Sequence, residues 1–190
     1  SISRYLVIKE KFGSETREAM KALKPKRFLP AKKTSLTEQQ INQLLQAIEL
    51  MQSGSYDKLT AKTLVIFLAN TGLRASECGK LKLEDVELDH RRIFVKLGKG
   101  NKDRIVGINS DTFEALLEYL KVRVKFQSEY FFVNRLVSPF TVNALSKKIT
   151  TLAKVAKLKA ISPHSLRRSF VTINAGKGKP LNHLRIACGH

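Results

Sequence analysis

From Asp57 to Asn70 the chain repeats apolar residues at helical spacing, and the half from Leu64 to Ala69 is apolar on every side. A helix with no polar face has nothing to offer water, so other elements must enclose it. Thr71 and Gly72 end it, with Gly72 free to take the positive φ of a helix terminus. Whatever fold forms is therefore built around this segment. At 190 residues the chain is long enough for one good core, or for one domain and a fragment of another.

The flanking patterns supply the enclosure. Thr37 to Gln40 fits a capping box, and Ile41, Leu44, Leu45 and Ile48 follow at helical spacing. Beyond the central helix the period changes. Val86–Leu88, Arg92–Leu97 and Arg104–Ile108 are short β-rich runs, the last two joined by a loop from Gly98 to Asp103. Ser110 is expected to cap a helix marked by Phe113, Leu116, Leu117, Leu120 and Val124. Tyr130–Val133 fits one more short strand. Ser138-Pro139 is expected to open a helix through Val142, Leu145, Ile149, Leu152 and Ala156, Pro163 opens another, and Pro180 starts a last one ending at Gly189-His190. The fold class is thus α+β, mainly helical, with a small antiparallel three-stranded sheet. Residues 1–23 read as a charged helical segment. Residues 24–33, with two prolines and five basic residues, read as an extended linker, and a domain is expected from about residue 34 to residue 190.

Charge narrows the partner. Against 16 Asp and Glu stand 35 Lys and Arg, a net charge of +19. Such an excess points to a polyanion, with nucleic acid first. The longest apolar run, Leu64 to Ala69, is far too short to span a bilayer. Cys78 and Cys188 lie far apart, without metal-ligand spacing, which speaks against a disulfide framework or zinc site and for a reducing compartment.

Three local patterns carry chemistry. Thr71-Gly72-Leu73-Arg74-Ala75-Ser76-Glu77 sets an arginine where the central helix ends and a short one begins. Gly98-Lys99-Gly100 holds a lysine between flexible residues in the hairpin loop. Pro163-His164-Ser165-Leu166-Arg167 puts an imidazole and a guanidinium three apart, on one face of a first helical turn, and Gly189-His190 follows. A helix N-terminus with such side chains favours an anion. Arg168, one step on, turns to another face and is read as a contact to DNA or solvent.

In this order and spacing, the motifs from Thr37 to His190 resemble those of the tyrosine recombinase, or phage integrase, family. The resemblance implies the catalytic-domain fold of that family and site-specific recombination of DNA, as in integration or excision of a mobile element, through a 3′-phosphotyrosine intermediate. It implies no cofactor and no metal. Arg74 and Arg167 match the two arginines that bind the scissile phosphate, and Lys99 the lysine that protonates the leaving 5′-oxygen. His164 matches the histidine that takes or steers the tyrosine proton, and His190 the one that supports the phosphate. Glu77 resembles the acid behind the first arginine. Contacts to the DNA backbone are expected from Lys24, Lys26, Arg27, Lys32, Lys33, Lys102, Arg104, Lys147, Lys148 and Arg168.

The sequence also departs from the family. The family's nucleophilic tyrosine lies beyond the second histidine, and Tyr5, Tyr56, Tyr119 and Tyr130 all precede it. No nucleophile is assigned, so these 190 residues are expected to bind double-stranded DNA without covalent cleavage. Residues 1–33 read as the remnant of a preceding DNA-clamping domain and its linker. A monomer is expected for this chain, against a tetramer on DNA for the family, acting in the cytoplasm on nucleoid DNA. A shortened, non-catalytic DNA-binding relative and a type IB topoisomerase-like enzyme share parts of the pattern.

Overall fold

The computed structural model describes residues 34–96 and 103–189. The expected N-terminal helix and linker, the hairpin loop with Lys99 and Lys102, and His190 lie outside the described residues. Seven α-helices and three strands follow in order among those described. They are α1 (Glu38–Glu49), α2 (Ser55–Thr71), α3 (Ala75–Lys80), a 3-10 turn (Leu83–Asp85), β1 (Val86–Glu87), β2 (Arg92–Val95), β3 (Arg104–Gly107), α4 (Ser110–Arg123), α5 (Val142–Val155), α6 (Pro163–Gly176) and α7 (Leu181–Cys188).

The helix whose second half is apolar on every side is the centre, as its pattern requires. α2 packs against α1, α4, α5 and α6, and Leu64, Val65, Phe67 and Leu68 are fully buried. Each such side chain contributes about 1.5–3 kcal/mol through burial. α1 begins at the Thr37 capping box, and Leu36 N–H donates to Ser169 Oγ at 2.6 Å, which ties the entry of the chain to α6. The sheet is antiparallel in the order β1-β2-β3, with Ile93 opposite Val106 and Val95 opposite Arg104. Ile93, Val95 and Val106 face the core and Ile105 faces out, the alternation expected of a half-buried sheet.

Four sequence expectations are corrected. Asn109, not Ser110, caps α4: its side chain accepts from Thr112 N–H at 3.0 Å, and Ser110 is already helical. The buried face of α4 carries Ala115, Leu116, Tyr119 and Arg123, while Leu117 and Val124 point outward. Tyr130–Val133 is no strand; only isolated bridges form, Lys82 with Tyr130 and Val133 with Pro139. The helix expected from Ser138 starts at Val142, because Pro139 is held in that bridge and Thr141 supplies the cap.

The segment after α4 is organised by aromatic and buried polar groups. Phe67 and Phe132 meet edge to face at 5.1 Å. The Tyr56 hydroxyl donates to Val133 O at 2.8 Å, the Val133 N–H donates to Tyr119 Oη at 3.3 Å, and the two hydroxyls lie 3.2 Å apart. Both phenols are thus engaged in packing, and burial pushes the Tyr119 hydroxyl pKa up. Among the described residues no helix is long and apolar enough to cross a membrane.

Candidate active site

Two chain reversals build the site. At the end of α2, Gly72 takes φ +65° and turns the chain so that Arg74 becomes the N-cap of α3. A Cβ on Gly72 would stand 2.6 Å from Phe170 and 3.1 Å from Cys188 Sγ. Gly72→Ala is therefore expected to cost about 2–3 kcal/mol, from the left-handed backbone and from overpacking; urea denaturation measures it. At the second reversal Ser162 caps α6 in a capping box with Ser165, and Pro163 occupies the first turn. That turn carries His164 and Arg167.

The two reversals face one cleft of about 380 Å³. Leu73, Arg74, Ala75 and Ser76 line one side, Ser162, Pro163, His164 and Arg167 another, and Val142 and Ser146 of α5 the rest. His164 is exposed, Arg74 is half-buried, and Arg167 is only 3% exposed. The sequence-predicted residues Arg74, His164 and Arg167 are thus together. Val142 and Ser146 were not expected there. Val142 read as a core position from its helical step, but it sits on the first turn of α5, past the edge of the core.

Behind the cleft lies a charged network. Glu77 accepts from Arg74 N–H and Arg74 Nη1, each at 2.7 Å, and from Arg104 Nη1 and Nη2 at 3.1 and 2.8 Å. Arg167 Nη1 stands 3.9 Å from the same carboxylate. Burial alone would push the Glu77 carboxyl up, but the bonds from Arg104 and Arg74 outweigh it and hold it below its ordinary value. Burial pushes the Arg167 guanidinium down from its usual range.

The same three arginines hold the end of α7. Arg104 Nε donates to Ala187 O at 2.8 Å, Arg167 Nη2 to Cys188 O at 2.5 Å, and Arg74 Nη2 to Gly189 O at 3.0 Å. Carbonyls at a helix C-terminus lack intrahelical partners and carry the negative end of the dipole, so cations suit them. Arg167 Nη1 also donates to Gly72 O at 2.9 Å, joining the two reversals. Gly189, at φ +67°, lies against the Arg104 guanidinium, where a Cβ would come within 2.9 Å of Nη1.

Two expected DNA contacts are corrected. Arg104 is buried, and its guanidinium is occupied by Glu77 and Ala187. The signal was in the alternation of β3: Arg104 shares the inward face of Val106. Lys148 is turned onto Asp57, at 3.9 Å, and over the Phe140 ring; its side chain is 17% exposed and burial pushes its pKa down. Lys147 is exposed on α5, and Arg168 is half-buried and does not line the cleft. Lys24, Lys26, Arg27, Lys32, Lys33, Lys99, Lys102 and His190 fall outside the described residues. Among the described residues, no three or more His, Cys, Asp or Glu side chains gather in a way that fits a metal ion.

Comparison with known proteins gives this geometry a family. A sequence model of the phage integrase family matches residues 34–190. Tyrosine recombinase XerA of Pyrococcus horikoshii is 34% identical over 95% of the chain and 60% of its own length. A crystal structure of XerA recombinase superposes with a TM-score of 0.75 at 29% identity, covering 100% of this chain and 73% of that one. XerH site-specific recombinase bound to its difH substrate superposes with a TM-score of 0.71 at 27% identity, covering 83% of this chain and 47% of that one. The chain thus spans less than two thirds of the length of the Pyrococcus relatives it matches. With its cleft, its fold and this match over residues 34–190, the chain belongs to the phage integrase family of tyrosine recombinases.

Proposed function

We propose that residues 34–190 are the phosphate-activating part of a site-specific DNA recombinase, with residues 1–33 as the end of a preceding DNA-clamping domain and its basic linker. One observation carries this reading: Arg74, His164 and Arg167, from two distant stretches, line a single cleft at the N-terminus of α6. Planar guanidinium forks suit the non-bridging oxygens of a phosphodiester, and the helix terminus adds to the attraction.

The reaction is a transesterification. A tyrosine oxygen bonds to phosphorus as the bond to the 5′-oxygen breaks, leaving a 3′-phosphotyrosine, and a second 5′-hydroxyl later reverses the step on a new partner. Conserving the bond energy in the phosphotyrosine removes the need for ATP. Arg74 and Arg167 carry the charge that builds on the phosphate oxygens. His164 steers the tyrosine proton, Lys99 delivers a proton to the leaving 5′-oxygen, and His190 supports the phosphate. The attacking hydroxyl is assigned to none of the tyrosines of this sequence; Tyr56, Tyr119 and Tyr130 line no part of the cleft. The partner is double-stranded DNA, and the assigned place of action is the cytoplasm, at the nucleoid. The XerA and XerH relatives favour recombination over supercoil relaxation.

Binding to double-stranded DNA across a salt series, paired with a trap for covalent adducts, tests the reading. The logarithm of affinity should fall linearly with that of salt, with a slope of about −0.9 per phosphate neutralised. The 190 residues alone should leave no covalent adduct. A flat salt response would remove the phosphate-dominated interface, and an adduct would overturn the assignment of the nucleophile.

A further inference from the structure

We infer that Arg104 is a positioning residue for the cleft, acting through Glu77 and the end of α7 and making no contact with DNA. The inference rests on the phosphate-binding reading of Arg74 and Arg167.

A carboxylate offers about four lone-pair sites. Those of Glu77 are matched by four donors, two from Arg74 and two from Arg104. Arg104 takes both oxygens as a fork, while Arg74 reaches Oε1 with one nitrogen of its guanidinium and Oε2 with its backbone N–H. Without Arg104, half of the acceptor capacity of a buried carboxylate stands open. The nearest cations are then the two cleft arginines: Arg74, already in contact, and Arg167, with Nη1 only 3.9 Å from Oε2. A buried anion short of partners draws cations strongly, so both guanidiniums shift toward Glu77 and away from the cleft. By filling Glu77, Arg104 leaves their charge directed at a phosphate.

The second arm of Arg104 fixes a distance. Its Nε holds Ala187 O, and its guanidinium lies so close to Gly189 that a Cβ there would not fit. One side chain at the start of β3 thereby joins the strand that leads out of the Lys99 hairpin, the acid of the Arg74 box and the terminus that leads to His190. Lysine keeps the charge but has no planar fork, so it cannot serve both Glu77 oxygens and Ala187 O in this geometry.

The test is a double-mutant cycle on affinity for a short double-stranded DNA, below the melting temperature of every variant. It compares the parent chain, Arg74→Ala, Arg104→Lys and the double variant. Arg74→Ala should bind about tenfold more weakly, the loss of one charge-assisted contact. Arg104→Lys, at unchanged net charge, should lose a similar factor. Because Arg167 still shifts when Arg74 is absent, the double variant should bind more weakly than Arg74→Ala, but its total loss should be less than the product of the two single losses. In the free protein, the Arg74 Nε–H resonance should move in Arg104→Lys. Additive losses would mean that Arg104 acts apart from Arg74, and unchanged affinity with a lower melting temperature would leave it a purely structural role; either overturns the inference. Should Arg74→Ala bind like the parent chain, the phosphate reading of the cleft fails, and the Arg74 resonance alone decides on Arg104: displaced, it supports the inference; unmoved, it overturns it.

Discussion

Glu77→Ala is expected to lower the stability of the folded chain by about 3–5 kcal/mol, the cost of stranding a buried charge whose partner is removed. Three guanidiniums surround this carboxylate, and those of Arg104 and Arg167 are themselves buried. Removing the acid leaves a cluster of positive charge that the neutral carbonyls of residues 72 and 187–189 do not neutralise. Glu77→Gln keeps the shape and one acceptor and should cost less. The pH dependence has a definite sign. The folded pKa lies below the unfolded one, near 4.3. The stabilisation is therefore fully present above that unfolded value and is lost as pH falls through the folded one. Urea midpoints measured from neutral pH downward should show a steep acid limb in the parent chain and a shallower one in Glu77→Gln. Equal limbs would remove Glu77 as an anchor.

Arg123→Ala should destabilise by a similar amount, about 3–5 kcal/mol, through lost charge-assisted bonds and a cavity. Arg123 is 1% exposed in the last turn of α4. Its guanidinium donates to Phe131 O at 3.0 Å, Phe126 O at 2.6 Å, Ser128 O at 2.8 Å and also Tyr130 O. No strand ladder orders residues 126–131, so this fork takes the place of one. Arg123→Lys should recover only part of the loss, because a single ammonium cannot reach four carbonyls spread across a plane. Since Arg123 stands away from the cleft, DNA affinity below the melting temperature should stay unchanged. Loss of binding without loss of stability would contradict this anchoring role.

These two side chains show where sequence reading reached and where it stopped. The central helix, the Thr37 cap, the helix start at Pro163, the three-stranded sheet and the short helix after Arg74 were legible, since each rests on local periodicity or on a signal a few residues long. Arg74, His164 and Arg167 were legible as a set because their motifs resemble a family's, and the cleft brings them together. Arg123 and Arg104 were not. A basic residue at the end of an amphipathic helix, or beside a hairpin loop, reads as solvated until the carbonyls and the carboxylate that receive it are known, and those come from other parts of the chain. The same holds for Lys148, whose partner Asp57 sits near the start of α2. Val142 failed for the opposite reason: helical spacing marks a face but not where along the helix the core ends.

The central claim is that this cleft receives a DNA phosphate. Guanidinium resonances of the 190-residue chain, followed as double-stranded DNA is added, test it most directly. The signals of Arg74 and Arg167 should move together, along the same binding curve as the affinity measurement, while that of Arg123 stays in place. Movement confined to residues outside the cleft, with Arg74 and Arg167 unmoved at saturation, would contradict the account.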